Sequence, residues 1–548
     1  MKLNEISYVS GQSSFPLLGE TIGQNLAKTV ALFPQSEALI CVEQDYRVTY
    51  SQFYAQTTQV AKALLALGVE KGDRVGIWSP NRSEWILIQY ATARIGAILV
   101  NINPAYRSHE LSFVLNQAEI SYLFSALTFK TSNYEAMVAE VKADCPTLKE
   151  TVFFDKDWNT FLKKSKATSD SVLGTIENNL QFDDPINIQY TSGTTGFPKG
   201  VTLSHHNLLN NAYFIGKRLN YSEKDRVCIP VPFYHCFGMV IGNLCCTSHG
   251  ACMVIPSESF DPVKTLQAVE SESCTSLYGV PTMFIAELTH PEFHRFNLKS
   301  LRTGVMAGSP CPIEIMKQVQ SNMHMTEVSI CYGMTETSPV SVQTIIGTPI
   351  EKQVSTVGTV HDHLELKVID PETGNIVQRG VSGELCVRGY SVMLKYWNNP
   401  EATNTVLDQQ RWMHTGDLAT MDNEGYINIT GRIKDLIIRG GENISPKEIE
   451  DFIYTHPAVA DVQIIGVPSE KFGEEVMAWV RLKDGAKINQ QELVEFCRNN
   501  IAHYKVPKYW KFVDEFPMTI TGKVRKVEMR ETAIKELDLS SVSRIKTS

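Results

Sequence analysis

The chain has 548 residues, and its 51 lysines and arginines against 60 aspartates and glutamates give a formal net charge of −9 at pH 7. A content of 43% apolar and 20% charged residues is typical of a folded globular protein, and the length allows more than one domain. Wholesale disorder is therefore excluded. The acidic balance argues against nucleic acid as a partner, because general nucleic-acid binding needs a basic surface.

The cysteines, the N-terminus and the apolar stretches together indicate the cellular compartment of the protein. The twelve cysteines include no CxxC pair and show no Cys/His spacing typical of zinc, which favours a reducing environment. The N-terminus lacks the pattern of a signal peptide, and Glu5 and Glu20 count against a transit peptide. The most apolar stretches, 85–100 and 237–255, contain polar residues, so neither predicts an integral membrane segment. We expect a cytoplasmic protein.

The first 430 residues alternate between predicted helices and strands. Thr49 and Gln52 have the spacing of a capping box and Gly68 stands at the stop, which predicts a helix over about 50–67. The elements predicted after it are strands at 74–79, 97–102, 251–255 and 274–280, and helices at 83–96 and after Asp261-Pro262. Strand, helix, strand is a βαβ unit, so we predict an α/β fold for this region.

The pattern changes after about residue 430 to short strands and capped helices. The predicted elements are a strand at 436–439, a turn at Gly440-Gly441, a helix opened by a capping box at Ser445-Pro446-Lys447-Glu448, strands at 461–467 and 476–482, and a helix at 492–501. We therefore predict a large N-terminal α/β domain, 1–433, followed by a small α+β C-terminal domain, 434–548.

The segment 190–200 carries the strongest chemical signal. It reads YTSGTTGFPKG and offers hydroxyl and backbone N–H donors to phosphate oxygens, with Lys199 adding a positive charge. It is not a Walker A loop, because Pro198 stands where that motif requires a glycine. The alternative interpretation is a flexible polar linker, and the mixture of residues favours phosphate binding over it.

Four further motifs follow in order. They are Tyr332-Gly333-Met334-Thr335-Glu336-Thr337, Thr415-Gly416-Asp417, Gly431-Arg432-Ile433-Lys434-Asp435 and Ile520-Thr521-Gly522-Lys523. With the loop at 190–200 they resemble the adenylate-forming (AMP-binding) enzymes, which include acyl-CoA synthetases, luciferases and the adenylation domains of peptide synthetases. The resemblance covers nearly the whole chain and implies that the small C-terminal domain is mobile.

The resemblance also implies a set of binding residues for ATP and CoA. They are Thr191, Ser192, Gly193, Thr194, Thr195, Lys199, Gly308, Ser309, Pro310, Tyr332, Gly333, Asp417, Arg432, Lys434, Gly440, Gly441 and Glu442. Within this set Tyr332 stacks near adenine and Asp417 accepts hydrogen bonds from the ribose hydroxyls, with Arg432 as its partner. Lys434 is the implied hinge, and the 440–442 loop replaces Lys523 when CoA reacts. From the residues alone, a turn aspartate such as Asp417 is more often structural.

The implied catalytic residues are Lys523, Glu336, Thr335 and His235. Lys523 bridges the substrate carboxylate and the α-phosphate in the family, although its basic surroundings also fit a solvated face. Glu336 and Thr191 are the predicted ligands of Mg²⁺, which prefers oxygen donors and bridges nucleotide phosphates.

The implied reaction is that of an AMP-forming acyl-CoA ligase acting on a small-molecule carboxylic acid, ATP and CoA. The segment 232–238 contains no acidic residue to pair with an amino-acid ammonium group, and an unpaired buried charge is costly. The segments around 239–242 and 277–284 resemble the branch of medium-chain fatty-acid CoA ligases. His235 either shapes the acyl pocket or is an ordinary core histidine. A ligase that delivers to a carrier protein, a non-catalytic nucleotide sensor and a homodimer all stay open.

Overall fold

The computed structural model describes residues 5–191, 198–309, 311–440, 442–498, 500–519 and 523–539. The predicted site residues Ser192, Gly193, Thr194, Thr195, Pro310 and Gly441 lie outside these ranges. The chain divides into two compact units. The large unit comprises Val9–Leu366 and Val387–Met413, and the small unit comprises the described residues of 5–8, 367–386 and 414–539.

The strands of the described residues run in chain order as follows: β1 Tyr8–Ser10, β2 Glu37–Cys41, β3 Tyr46–Thr49, β4 Arg74–Trp78, β5 Ile98–Ile102, β6 Tyr122–Ser125, β7 Thr128–Phe129, β8 Ser132–Asn133, β9 Glu150–Phe153, β10 Pro185–Thr191, β11 Lys199–Ser204, β12 Arg226–Cys228, β13 Cys252–Ile255, β14 Ser276–Gly279, β15 Thr303–Ala307, β16 Glu327–Gly333, β17 Val340–Gln343, β18 Thr359–Val360, β19 Leu364–Ile369, β20 Gly383–Gly389, β21 Lys395–Tyr396, β22 Met413–Met421, β23 Ile427–Arg432, β24 Ile437–Arg439, β25 Glu442–Ile444, β26 Val459–Ser469, β27 Gly473–Leu482 and β28 Tyr509–Phe512.

The α-helices of the same residues are α1 Ile22–Leu32, α2 Tyr50–Leu67, α3 Ser83–Ile95, α4 Ser108–Gln117, α5 Tyr134–Val141, α6 Phe154–Lys163, α7 Asp170–Asn178, α8 His205–Arg218, α9 Cys245–His249, α10 Pro262–Ser271, α11 Pro281–Leu288, α12 Ile313–Asn322, α13 Ile350–Ser355, α14 Pro400–Val406, α15 Pro446–Tyr454, α16 Gln490–Arg498 and α17 Lys526–Glu536. A π-helix occupies Phe237–Leu244. No helix of the described ranges is long and apolar enough to cross a membrane.

Two sheets form the scaffold of the large unit. Sheet A has the strand order β21-β11-β10-β5-β4-β6-β9, and sheet B has the order β18-β17-β16-β15-β14-β12-β13-β2-β3. Strands β4, β5 and β6 are parallel, and α3 connects β4 to β5, which confirms the predicted βαβ unit. Every residue of β5 is buried, as expected for a parallel strand covered on both faces.

Capping residues close in sequence determine where helices of the large unit begin and end. The α2 helix spans Tyr50–Leu67, the Thr49 and Gln52 side chains form the predicted capping box, and Gly68 ends the helix with a φ of 94°. The predicted strands near 251–255 and 274–280 are present as β13 and β14, and Asp261 caps the helix α10 between them.

Two further sheets lie mainly in the small unit. Sheet C has the order β1-β19-β20-β22-β23, and sheet D has the order β25-β24-β27-β26, with β28 pairing to β27. Side chains of α15, β26 and α16 share one hydrophobic core, in which Ile449, Ile464 and Leu493 are buried. The chain turns after β22, where Asp422 Oδ1 accepts the N–H groups of Glu424 and Tyr426.

The predicted capping box at the start of α15 is wrong. The helix does begin with Pro446 after Ser445, but the Ser445 side chain makes no capping hydrogen bond. Its hydroxyl donates instead to the carbonyl oxygen of Thr430 at 2.9 Å. The Ser445 hydroxyl, which the local pattern predicted as the helix cap, thus makes a long-range contact instead. The domain boundary between residues 433 and 434 stays a prediction, because the units are defined by contacts and not by independent folding.

Candidate functional site

Glu336, Tyr396 and Lys199 form a connected cluster in the large unit. Glu336 lies in a 3-10 turn, Thr335–Thr337, directly after β16, and only 6% of the residue is exposed. The Tyr396 hydroxyl donates a hydrogen bond of 2.7 Å to Glu336 Oε1. The Lys199 Nζ lies 5.2 Å from the centroid of the same tyrosine ring, in cation–π geometry. One aromatic side chain therefore contacts both the predicted phosphate lysine and the predicted metal carboxylate.

Strand pairing in sheet A explains the contact between Lys199 and Tyr396. Thr191 pairs with Lys199 across β10 and β11, so the described ends of the 190–200 segment are joined as a hairpin. Val201 pairs with Tyr396 across β11 and β21. Lys199 is two residues from Val201 and shares its face of the strand, which makes it the diagonal neighbour of Tyr396.

Burial keeps the Tyr396 hydroxyl protonated. Desolvation raises the pKa of Tyr396 well above its usual range, and the adjacent Glu336 charge raises it further. The phenol is therefore protonated near neutral pH and acts as a hydrogen-bond donor. A second contact holds the backbone of Glu336, because the Met393 N–H donates to the Glu336 carbonyl oxygen at 2.9 Å.

Tyr332 and Gly333 end β16 at a point of close backbone approach. The register between β16 and β17 shifts between these two residues. A Cβ atom on Gly333 would lie 1.8 Å from the carbonyl oxygen of Pro339, so a larger residue does not fit. Thr335 follows in the 3-10 turn and is buried. The motif thus brings Tyr332, Thr335 and Glu336 into one short segment of the large unit.

His235 is half-buried, and the next residue, Cys236, carries a buried thiol. The His235 Nδ1 accepts the N–H of Phe237 at 3.2 Å. The neighbouring Cys236 Sγ donates to Gln189 Oε1 at 2.9 Å. Burial raises the pKa of Cys236 to about 12, so this thiol is a donor and not a thiolate. The Asn101 side-chain amide donates to the carbonyl oxygen of Tyr234 at 3.2 Å, which ties this segment to β5.

Gly308 and Ser309 follow β15 in the large unit. Gly308 has a φ of 96°, a conformation that favours glycine, and Ser309 is exposed.

Asp417 and Arg432 meet in the small unit. They are paired residues of β22 and β23, and Arg432 Nε lies 3.0 Å from Asp417 Oδ1. Asp417 is buried while half of the Arg432 side chain is exposed. The two residues predicted to bind ribose are therefore together.

The other predicted residues of the small unit lie at its surface. Lys434 is exposed in a 3-10 turn, Ile433–Asp435. Gly440 has a φ of 61°, its N–H donates to the Phe472 carbonyl oxygen at 2.8 Å, and Glu442 begins β25. Lys523 is exposed, and its N–H donates to Thr519 Oγ1 at 3.0 Å.

Cys386 and His414 come together with Glu384 in sheet C, although their spacing gave no metal signal. One ligand atom from each of the three residues lies within 4.8 Å of the others. His414 Nδ1 is 2.9 Å from Glu384 Oε2 and 3.7 Å from Cys386 Sγ. A soft thiolate, an imidazole and a carboxylate could together bind zinc. The residues already satisfy one another by hydrogen bonds.

The most informative residues that sequence reasoning missed are Tyr396, Cys236 and Glu384. Tyr396 lies 60 positions after Glu336, in a stretch with no motif of its own. Cys236 was assigned no role, although it stands next to His235. No spacing rule links Glu384 to His414, so only strand pairing reveals these contacts.

Known proteins similar to this chain agree with the geometry. A family model described as AMP-binding enzyme matches residues 26–397, and one described as AMP-binding enzyme C-terminal domain matches 448–523. YngI of Bacillus subtilis (strain 168), which is named as an acyl-CoA synthetase, is 46% identical over 96% of this chain and 99% of its own. The medium-chain acyl-CoA ligase ACSF2, mitochondrial, of Danio rerio is 44% identical over 97% of this chain and 91% of its own.

A solved structure gives the same picture. ATP-bound MatB from Rhodopseudomonas palustris superposes with a TM-score of 0.84 at 29% identity, over 94% of this chain and 99% of its own. The chain therefore belongs to the family of AMP-binding enzymes. The predicted fold class and the predicted class of enzyme, an AMP-forming acyl-CoA ligase, are both confirmed.

Proposed function

We propose that this enzyme converts a medium-chain aliphatic carboxylic acid to its CoA thioester through an acyl adenylate. The observation that carries the proposal is the Lys199, Tyr396 and Glu336 cluster in a chain that matches a medium-chain acyl-CoA ligase along nearly its whole length. The lack of an acidic residue in 232–238 supports an uncharged acyl tail.

The chemistry has two balanced steps. A carboxylate oxygen of the acid attacks the α-phosphorus of ATP, the bond to the bridging oxygen breaks, and pyrophosphate leaves with its electron pair. The CoA sulfur then attacks the acyl carbonyl carbon of the adenylate, loses its proton, and AMP leaves. Neither step needs a covalent protein nucleophile, so catalysis consists of positioning and charge neutralisation.

The large unit supplies the residues for the phosphates and the acid. Lys199 contacts phosphate oxygens, Thr335 donates its hydroxyl to phosphate, and His235 shapes the acyl pocket. Glu336 and Thr191 offer the oxygen donors that Mg²⁺ prefers, and Mg²⁺ bound there would neutralise phosphate charge. The fit rests on Glu336, a buried carboxylate whose Oε1 accepts a hydrogen bond from Tyr396.

The small unit supplies residues for the ribose and for both half reactions. Asp417 accepts hydrogen bonds from the ribose hydroxyls beside Arg432. Lys523 stabilises the charge that develops during adenylation, and Lys434 is the hinge that allows the 440–442 segment to replace Lys523 for thioester formation. If Lys434→Pro formed thioester as fast as the unchanged enzyme in a single turnover from preformed adenylate, this hinge would be wrong.

The remaining binding residues keep the roles that the resemblance gives them. Tyr332 stacks near adenine, and Gly333, Gly308 and Ser309 line the nucleotide pocket. A cytoplasmic location and a homodimer also stay proposals. Sedimentation of the purified protein as a monomer at micromolar concentration would contradict the homodimer, and fractionation of the source cells tests the location.

The test is mass spectrometry of the products formed from ATP, Mg²⁺, CoA and an equimolar pool of straight-chain acids of increasing length. We expect acyl-CoA and AMP, with the medium-chain product most abundant. Acyl adenylate without thioester would indicate a carrier-protein acceptor instead. No nucleotide turnover with any acid would contradict the enzyme and favour a nucleotide sensor.

A further inference from the structure

The backbone of 414–417 departs from regular strand geometry within β22. Gly416 has a φ of 70°, in the left-handed region, which residues of a regular strand do not adopt. The Gly416 N–H donates to Glu384 Oε1 at 3.1 Å, and the Asp417 N–H is accepted by Thr415 Oγ1 at 3.1 Å. Two side-chain oxygens thus accept the consecutive N–H groups of Gly416 and Asp417.

Glu384 is the acceptor that joins this irregular segment to β20. The residue is 9% exposed, and a carboxylate buried to this degree needs partners for its oxygens. Its Oε1 accepts the Gly416 N–H, while its Oε2 lies 2.9 Å from His414 Nδ1. The Thr415 hydroxyl also reaches β20, because it donates to the Leu385 carbonyl oxygen at 2.7 Å. The two carboxylate oxygens of Glu384 thus contact Gly416 and His414, the residues on either side of Thr415.

The next residue along the chain is Asp417. Its carboxylate is one peptide away from the N–H that Glu384 accepts, and it pairs with Arg432 at 3.0 Å. A change in the Gly416 backbone would rotate the Asp417 side chain relative to β23. Because successive side chains of a strand point to opposite faces, the backbone at Gly416 determines on which face the Asp417 carboxylate lies.

We propose that Glu384 is a positioning residue which, through the Gly416 N–H and His414, fixes the Asp417 carboxylate in the orientation that accepts the ribose hydroxyls of ATP. The inference rests on the proposed function, because it takes Asp417 as the ribose acceptor. It assigns to the β20 glutamate a role in nucleotide selectivity that acts entirely within the small unit.

A metal site that includes Cys386 is the alternative role for the Glu384 and His414 side chains. Its Sγ lies 3.7 Å from His414 Nδ1, so the three side chains could bind a zinc ion. The hydrogen bond from Gly416 to Glu384 favours the positioning role, because it ties the carboxylate to the segment that carries Asp417. Metal content is therefore one outcome of the test.

The experiment compares ATP with 2′,3′-dideoxyATP, which lacks both ribose hydroxyls, in steady-state ligation assays. The unchanged enzyme is expected to prefer ATP by about tenfold or more in kcat/KM, the effect of one hydrogen bond to a charged group. Glu384→Ala and Glu384→Asp remove or shorten the acceptor and are expected to reduce the preference below about threefold. We expect the Glu384 substitutions to act mainly by raising the KM for ATP. Glu384→Gln keeps an oxygen for the Gly416 N–H and restores much of the preference.

Two comparisons separate positioning from a general structural role. Glu372→Gln, in the exposed turn between β19 and β20, is the matched control and keeps the full preference. A merely structural glutamate would lower the melting temperature without changing the ratio between the two nucleotides. In an Asp417→Asn background, Glu384→Asp is expected to cause no further loss of preference, since both residues act on the same contact.

Three results would overturn the inference. The first is a folded Glu384→Ala or Glu384→Asp variant with the full preference for ATP, which leaves the ligase function itself intact. The second is an additive loss in the double variant. The third is stoichiometric zinc in the purified protein that Cys386→Ser abolishes, because the carboxylate would then serve a metal. Failure of the unchanged enzyme to form any acyl-CoA would instead contradict the proposed function.

Discussion

At the scale of single residues, one tyrosine of the large unit contacts both the proposed phosphate lysine and the proposed metal carboxylate. Tyr396 donates to Glu336 while its ring contacts Lys199, so it orients an anion and a cation at once. The hydroxyl and the ring can be tested separately. Replacing the tyrosine by phenylalanine removes only the hydrogen bond and keeps the aromatic face.

Tyr396→Phe is expected to lower kcat/KM for ATP by about tenfold. A hydrogen bond to a charged group contributes about 1.5–3 kcal/mol, and each 1.4 kcal/mol is a factor of ten. Steady-state kinetics at varied ATP and Mg²⁺ measure the change, and we expect a higher Mg²⁺ requirement. Tyr213→Phe, whose ring stacks on His249, is the control. An unchanged ATP and Mg²⁺ dependence in Tyr396→Phe would show that the contact does not order the carboxylate.

Lys523→Ala is expected to reduce adenylate formation by about a hundredfold or more, while ATP still binds. In the proposed mechanism the lysine acts where charge develops in the transition state, so its loss affects the chemical step more than the ground state. Single-turnover quench measurements report adenylate, and equilibrium binding of labelled ATP reports affinity. Lys535→Ala on the exposed side of α17 is the matched control. Full adenylation by Lys523→Ala would remove this residue from the mechanism.

At the scale of elements, the end of β16 must approach the start of β17 closely. The register shift between Tyr332 and Gly333 turns the strand into the 3-10 segment that carries Glu336. Backbone atoms meet there without room for a side chain, because the Cβ of a larger residue at 333 would overlap Pro339. A glycine is therefore required by space and not by an unusual φ.

Gly333→Ala is expected to displace β16 from β17, lowering stability by about 1–3 kcal/mol and activity by more than tenfold. Thermal unfolding and ligation assays measure the two effects. Gly174→Ala in α7 is the control, since its added Cβ meets nothing within 4 Å. It is expected to raise stability by about 0.5–1 kcal/mol, as alanine favours a helix over glycine. Normal activity in Gly333→Ala would contradict the required close approach.

At the scale of the whole molecule, one buried acid links stability to pH. Glu287 on α11 is 1% exposed, and neither of its carboxyl oxygens has a hydrogen-bond partner among the described residues. Burial raises the pKa of Glu287 well above its usual range. In the folded state the carboxyl group therefore keeps its proton at a pH where the unfolded chain has lost it. Stability is fully present below the ordinary glutamate pKa and falls as the pH rises toward the folded-state pKa.

Glu287→Met is expected to raise the free energy of unfolding, and the gain grows as the pH rises above the ordinary glutamate pKa, by up to about 1.4 kcal/mol per pH unit within the titrating window. Urea unfolding at a series of pH values measures it. Glu351→Gln, an exposed acid on α13, is the control with little pH-dependent gain. A gain that is constant with pH would show that Glu287 is not protonated by burial.

The sequence by itself determined the helix α2, the βαβ unit and the family. The capping box at Thr49 and Gln52 and the stop at Gly68 act within a few residues, so they place α2 at its observed bounds. The five motifs are equally local, since each is a short run whose backbone and side chains fit one chemical task. Local signals of this kind survive in a single sequence because they need no knowledge of distant strands.

Only the tertiary structure decided which distant residues meet. Tyr396 reaches Lys199 because β21 pairs with β11, and Glu384 reaches His414 and Gly416 because β20 and β22 are neighbours in sheet C. The hydroxyl of Ser445 likewise bonds to Thr430 and not to its own helix. Strand pairing is non-local, and the free energy that selects it comes from burial over the whole sheet. No spacing within one motif could have predicted these contacts.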